Sequence, residues 1–147
     1  MKTDEYRIHS AAGMILTSCG HYVMQQREDK PHVSLPGYVG FFGGGIEPGE
    51  DAWQALKREM MEELELDIET YETTFFTRLT WDLQTHDLGL RARDIFLIRM
   101  DEEEAIALPV LEGKGKLLMT AQQVLDGQRI ISMDQFSVLL HEKYIKP

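Results

Sequence analysis

A chain of 147 residues, 43% hydrophobic and 9% aromatic, is of single-domain size and long enough to bury a real core. Its formal charge of -10 excludes a broad nucleic-acid surface, which needs clustered Lys and Arg, but not a small phosphorylated ligand, because divalent cations reverse the sign of an acidic cleft. No apolar run approaches the ~20 residues of a membrane span, and the single Cys19 excludes an internal disulfide and a multi-cysteine zinc site.

In chain order, residues 7–17 carry a mostly apolar run and predict a central strand. The overlapping run AAGMILTSC (11–19) lacks the basic lead and small-residue cleavage site of a signal peptide, so a cytoplasmic protein is expected. Cys19 reads as a buried or idle thiol. A turn around Gly20 leads to a second strand over 21–27, forming a hairpin. Residues 28–36, with two prolines, predict a loop. Residues 37–42 predict a short aromatic strand running into the loop Gly43-Gly44-Gly45. Pro48 and Gly49 announce a helix, with Glu50 and Asp51 in its first turn, where the helix dipole favours acids. It is expected to run to about Leu64, with Ala52, Leu56, Met60 and Leu64 as its apolar stripe. Two more strands are predicted at 73–82 and 92–100, linked by the polar segment 83–89. Residues 101–104 read as an acidic turn, 115–119 as a late strand and 121–125 as a short helical turn. Ser132 is placed to cap a final helix whose apolar face would be Phe136, Leu139, Leu140 and Tyr144. Strands flanking a central helix, with a helix closing the chain, fit a mixed sheet between helices in one α/β domain spanning 1–147.

The stretch GGIEPGEDAWQALKREMMEELEL is the most specific part of the chain. Glu59, Glu62 and Glu63 fall on neighbouring turns of the predicted helix. At 100° per residue, Glu62 lies about 60° to one side of Glu59 and Glu63 about 40° to the other. Like charges so placed destabilise a helix by a few tenths of a kcal/mol per pair. Either a cation relieves the repulsion or the face is fully wet.

The spacing around these acids is specific too. Five residues separate Gly44 from Glu50 and seven separate Glu50 from Arg58. Arg58-Glu59, apolar Met60, one further residue and Glu62-Glu63 follow. This resembles the Nudix box, the signature of the Nudix hydrolases. One position departs: the box ends in glycine before an apolar residue, and Glu65 stands there before Leu66. The turn at the helix exit is therefore expected to differ. The resemblance implies the Nudix fold, an α/β/α sandwich with a mixed β-sheet. It also implies a divalent cation, Mg²⁺ or Mn²⁺, which suits oxygen-only ligands.

By that resemblance Glu59, Glu62 and Glu63 are metal ligands, with the backbone carbonyl of Gly43 as a further one. Glu59 or Glu62 would orient or deprotonate a water. Arg58 pairs with Glu62 one turn on, or with Glu50 across the loop; both are expected to support the catalytic loop and helix. The glycines are either a permissive turn or, at Gly44, a close approach of backbone to substrate phosphate. Outside the box, Glu112-Gly113 precedes the late strand where MutT-like members carry another metal carboxylate; the alternative reading of Glu112 is a plain turn acid. Arg27 ends the second strand, either near the place of a phosphate-contacting arginine in MutT-like members or as a solvated strand end. Tyr71, Phe75, Phe76 and Trp81 read mainly as core, with base stacking as the alternative, and Trp53 as packing. His21, His32 and His86 show no ligand spacing and read as surface or loop, with His86 an outside substrate candidate.

The resulting expectation is a metal-dependent pyrophosphohydrolase acting on a nucleoside diphosphate linked to a further group, foremost a nucleoside triphosphate. The alternatives are a nucleotide-sugar or ADP-ribose pyrophosphatase, and a non-catalytic nucleotide sensor. The partner would be a nucleotide or derivative, with neither nucleic acid nor membrane; a homodimer is compatible with this reading.

Overall fold

Strand β1 (Ile8–Thr17) organises the molecule. Ala11 and Ile15 bury on one side of it and Ala12 and Met14 on the other, as the two-residue period of a strand requires. Both faces are apolar because helices cover both. A computed structural model of the chain describes residues 6–146. It has seven strands in one mixed sheet, ordered β3-β2-β1-β6-β5, with β4 paired to β1 and β7 to β2.

β1 runs parallel to β6 (Gly89–Met100) from Ile8 beside Arg91 to Thr17 beside Met100. β5 (Glu72–Leu83) closes that side as an antiparallel edge. On its other side β1 meets β2 (Tyr22–Gln26) only at Ile15 and Leu16, after which the two strands diverge. The chain from 39 to 45 fills the gap. β3 (Val39–Gly40) pairs with Gln25 and Gln26, and β4 (Phe42–Gly45) pairs with residues 10–13 of β1. β7 (Gly115–Met119) lines the outer edge of β2.

Helix α1 (Ala52–Leu64) packs Ala55, Leu56, Met60 and Leu64 against Ala11, Ile15, Phe42, Phe96 and Ile98. Opposite, α3 (Ala121–Asp126) and α4 (Ser132–Leu140) bring Val124 and Val138 onto Met14, Tyr22, Phe41 and Ile95. The architecture is the expected α/β/α arrangement. Among the described residues no helix is long and apolar enough to cross a membrane.

Several local expectations change. The glycine run is strand β4, held by β1, not a loop. Helix α1 starts at Ala52, because Asp51 and Gln54 form a reciprocal capping box; Glu50 lies ahead of the helix. The acidic turn extends into a short helix, α2 (Glu102–Ala107), whose first turn favours its three glutamates. Ser132 does not cap α4: Ile131 occupies the cap position, with no side-chain bond. Nor do Phe136 and Tyr144 face the core; they are 43% and 76% exposed. The buried side of this last element is Met133, Asp134, Ser137, Val138 and His141. Its polar members have partners inside: Asp134 has Arg93 and the Phe41 N–H, Ser137 the Met133 carbonyl, and His141 the Tyr22 hydroxyl at Nδ1, its buried Nε2 having no partner among the described residues.

Candidate active site

The start of α1 is built by charge. Glu50 folds back over the helix and accepts from Arg58 Nε at 2.8 Å and Nη2 at 3.0 Å. That guanidinium, with the Glu47 N–H, holds the Glu50 carboxyl below its ordinary range. Arg58 also donates to the Gly45 carbonyl at 3.0 Å, to Glu59 at 2.8 Å and to Glu62 at 3.3 Å. One arginine thus gathers three carboxylates and fastens strand β4 to helix α1. It answers the repulsion on one side of the acidic arc: Glu62, whose side chain is 54% exposed, turns toward Arg58.

Glu63 turns the other way. It is 2% exposed and has no ion-pair partner among the described residues. Its two oxygens accept from the Gly43 N–H at 3.2 Å and the Gln25 amide at 3.0 Å. Burial first, then Glu59 and Glu112, push its carboxyl up to about 9. Ligand oxygens of Glu59, Glu63 and Glu112 all lie within 4.8 Å of one another. Two carboxylates converging on a buried third, with no side-chain cation bonded to that one among the described residues, form a donor set suited to a hard divalent ion.

The glycines make this convergence possible. A Cβ on Gly44 would stand 2.4 Å from a Glu59 oxygen, so the carboxylate rests directly over that backbone. Gly43 has φ +150°, and a Cβ there would meet the Ala11 carbonyl at 2.2 Å. Close approach is the reading of the run that the geometry favours; here the approaching group is the Glu59 carboxylate itself.

A cleft of about 270 Å³ opens beside the trio, lined by Gln25, Arg27, Glu28, Val33, Gly43, Glu63 and the 111–113 loop. Arg27 stands at its rim just beyond β2, its Nε held by the Ser34 carbonyl at 2.7 Å. The structure therefore brings together Arg27, Gly43, Gly44, Glu59, Glu63 and Glu112. It sets Glu62, Arg58 and Glu50 on the adjoining solvent side of the helix. Sequence reasoning missed Gln25, which touches both Glu63 and the loop of Glu112; the preference of glutamine for the surface hides it, and no local signal gives that contact away.

Among the described residues no aromatic ring lines the cleft. Tyr71 and Phe76 pack on the two cores, and Trp53 meets Phe96 at 5.8 Å between ring centroids. Phe75 is 57% exposed on the edge strand, while Trp81 is half-buried. His21 pairs with Glu102 at 2.7 Å, whereas His32 and His86 are exposed in turns. Cys19 is a free, exposed thiol, not a buried one. At the helix exit, Glu65 stands where the box has glycine. Glu65 adopts the left-handed conformation, φ 51° and ψ 35°, and its N–H bonds back to the last turn.

Comparison with known proteins agrees with this geometry. The chain is 37% identical over 65 residues to the 8-oxo-dGTP diphosphatase of Proteus vulgaris, covering 44% of this chain. The match spans little more than half of that relative's length, 56%. Its fold is similar to the crystal structure of a MutT protein from Methanosarcina mazei Go1, with a TM-score of 0.77, 13% identity and coverage of 99% of this chain and 100% of that one. It is also similar to the dihydroneopterin triphosphate pyrophosphohydrolase of E. coli, with a TM-score of 0.73, 18% identity and coverage of 97% and 98%. The family model for the NUDIX domain matches residues 7–137, most of the chain, and the chain belongs to the NUDIX domain family.

Proposed function

We propose that this chain is a metal-dependent pyrophosphohydrolase that cleaves a nucleoside triphosphate to a monophosphate and pyrophosphate. The observation that carries the reading is the convergence of Glu59, Glu63 and Glu112, the latter two lining a cleft that Arg27 also lines. The names of the Proteus vulgaris relative and the E. coli structure, both acting on triphosphates, support the substrate class. A non-catalytic sensor is disfavoured, because the chain keeps every acidic position of the box.

Bound Mg²⁺ or Mn²⁺ supplies neutralisation of diphosphate oxygens and a more acidic water. Glu59, Glu63 and Glu112 hold the ion in this reading, with Glu62 and the Gly43 carbonyl as further ligands. Glu59 takes the proton of the attacking water. Its carboxylate is fixed for that task by Arg58 on one side and by the bare backbone of Gly44 on the other. Glu50 holds Arg58 in turn. Arg27, at the cleft rim, meets a phosphate oxygen in this reading, while the space over Gly44 is taken by the Glu59 carboxylate and not by the phosphate chain. The exposed free thiol of Cys19 suits the reducing cytoplasm we assign to the protein.

The test is a screen of nucleoside triphosphates, nucleotide sugars and dinucleotides with Mg²⁺ or Mn²⁺, identifying products. Triphosphate turnover releasing pyrophosphate is expected. Glu59→Gln, Glu62→Gln and Glu63→Gln should each lower it about a hundredfold or more. Turnover confined to nucleotide sugars or dinucleotides would move the substrate class. Tight nucleotide binding without turnover, or parent-like rates in Glu59→Gln and Glu63→Gln, would overturn the reading.

A further inference from the structure

We propose that Gln25 is a positioning residue of the metal site, its amide locking the Glu112 loop and the Glu63 carboxylate into one geometry. The proposal rests on reading Glu63 and Glu112 as ligands of a divalent ion. Gln25 lies in β2 and is only 5% exposed. A buried amide is costly unless its polar atoms are used. Its Nε2 has two protons to give, and two acceptors meet it: Oε2 of Glu63 at 3.0 Å and the Glu112 backbone carbonyl at 3.3 Å. One planar group therefore spans helix α1 and the loop between α2 and β7.

The rest of that loop is pinned on either side of Glu112. The Leu111 N–H donates to the Glu63 carbonyl at 2.8 Å, and the Lys114 N–H to the Gln26 carbonyl at 2.9 Å. Between them, the Glu112 peptide is held by Gln25. Gly113 allows the contact: its φ is +88°, and a Cβ there would stand 3.0 Å from Gln25 Nε2 and 3.1 Å from the Gln26 carbonyl. Glu112 is exposed, unlike Glu63. Its carboxylate reaches the trio reproducibly only when the backbone beneath it is fixed. Pre-ordering that backbone lowers the ordering cost of binding an ion.

Gln25→Met tests this, because it keeps approximate volume and removes both donors. Binding of Mn²⁺ without nucleotide is read by electron paramagnetic resonance for the parent, Gln25→Met, Glu112→Gln and the double variant. The parent is expected to bind Mn²⁺ through Glu63, with weaker binding in Glu63→Gln. Gln25→Met should weaken Mn²⁺ binding about tenfold, the scale of a lost ligand support. The double variant should lose less than the product of the single losses, since Gln25 acts partly through Glu112. In turnover, excess Mg²⁺ should restore the kcat of Gln25→Met while KM for the nucleotide stays within about twofold, which damaged packing alone would not produce. Parent-like Mn²⁺ affinity in Gln25→Met, or single losses that multiply fully, overturns the proposal while leaving the site reading intact. A parent that binds no Mn²⁺, or binds it equally well as Glu63→Gln, overturns both, and the parent and that control alone reveal it.

Discussion

Glu62 and Glu63 are adjacent in sequence and alike in chemistry, yet they end in opposite environments. Glu62 stays near water beside Arg58, while Glu63 enters the protein between Gly43 and Gln25. The difference has a consequence for pH. In the folded chain without metal the Glu63 carboxyl is pushed up to about 9, against an ordinary value of 4.5. The folded state therefore keeps a proton that the unfolded chain releases between those values, so stability is full below the lower one and falls as pH rises through the upper one. Glu63→Gln removes this dependence. In the presence of a chelator, its thermal midpoint should gain on the parent's steadily from pH 5 to pH 8.5. A difference between the two proteins that does not change with pH would contradict the burial of a protonated carboxyl. Spacing alone revealed that Glu59, Glu62 and Glu63 share an arc. It did not reveal which of them turns inward, because that choice is made by Gln25 and by the Glu112 loop, 38 and 49 residues from Glu63.

Helix α1 was legible from sequence because its determinants are local: an apolar stripe every four residues, acids ahead of it, and box spacing that fixes its relation to the glycines. Its start was misjudged only by the capping box, which makes Asp51 a cap and leaves Glu50 free to reach Arg58. The exit is more instructive. Glu65 sits in the left-handed region, where a side chain costs about 1–2 kcal/mol relative to glycine. The box glycine meets a backbone requirement, and this chain satisfies it with strain. Glu65 is exposed and lies outside the carboxylate trio, so relieving the strain should not touch the chemistry. Glu65→Gly should raise stability by about 0.5–1 kcal/mol in urea unfolding, the greater freedom of the unfolded glycine offsetting part of the gain. Turnover should stay within about twofold. A destabilised variant would mean that the left-handed turn does not limit the parent. Helix α4 was misjudged for the opposite reason. Hydrophobic periodicity assumes that apolar residues face inward, but here Asp134, Ser137 and His141 do so because each has a partner inside.

Across the whole molecule, the segment from Val39 to Gly45 is the piece that joins the two layers to the site. It enters where β1 and β2 diverge, and it is gripped by a buried carboxylate from each side. Asp134 of α4 accepts from the Phe41 N–H at 2.8 Å, and Glu63 of α1 accepts from the Gly43 N–H at 3.2 Å. The order of strands was readable, since each strand is a local pattern. This insertion was not, because only the pairing of distant strands produces it. Asp134 is fully buried and also takes two bonds from Arg93, at 2.7 and 3.0 Å. Removing one partner of such a pair leaves the other uncompensated and costs about 3–5 kcal/mol. Replacing both with apolar residues removes the stranded charge. The Phe41 N–H then still lacks an acceptor, which costs about 1–3 kcal/mol. Asp134→Leu should therefore unfold at lower urea than the double variant Asp134→Leu with Arg93→Met, and both should unfold before the parent. Since Asp134 grips the segment two residues ahead of Gly43, Mn²⁺ affinity should weaken in both variants even under conditions where they are fully folded. Equal stability of the single and double variants would assign the cost to packing. Parent-like Mn²⁺ binding in both would separate the far face of the sheet from the site.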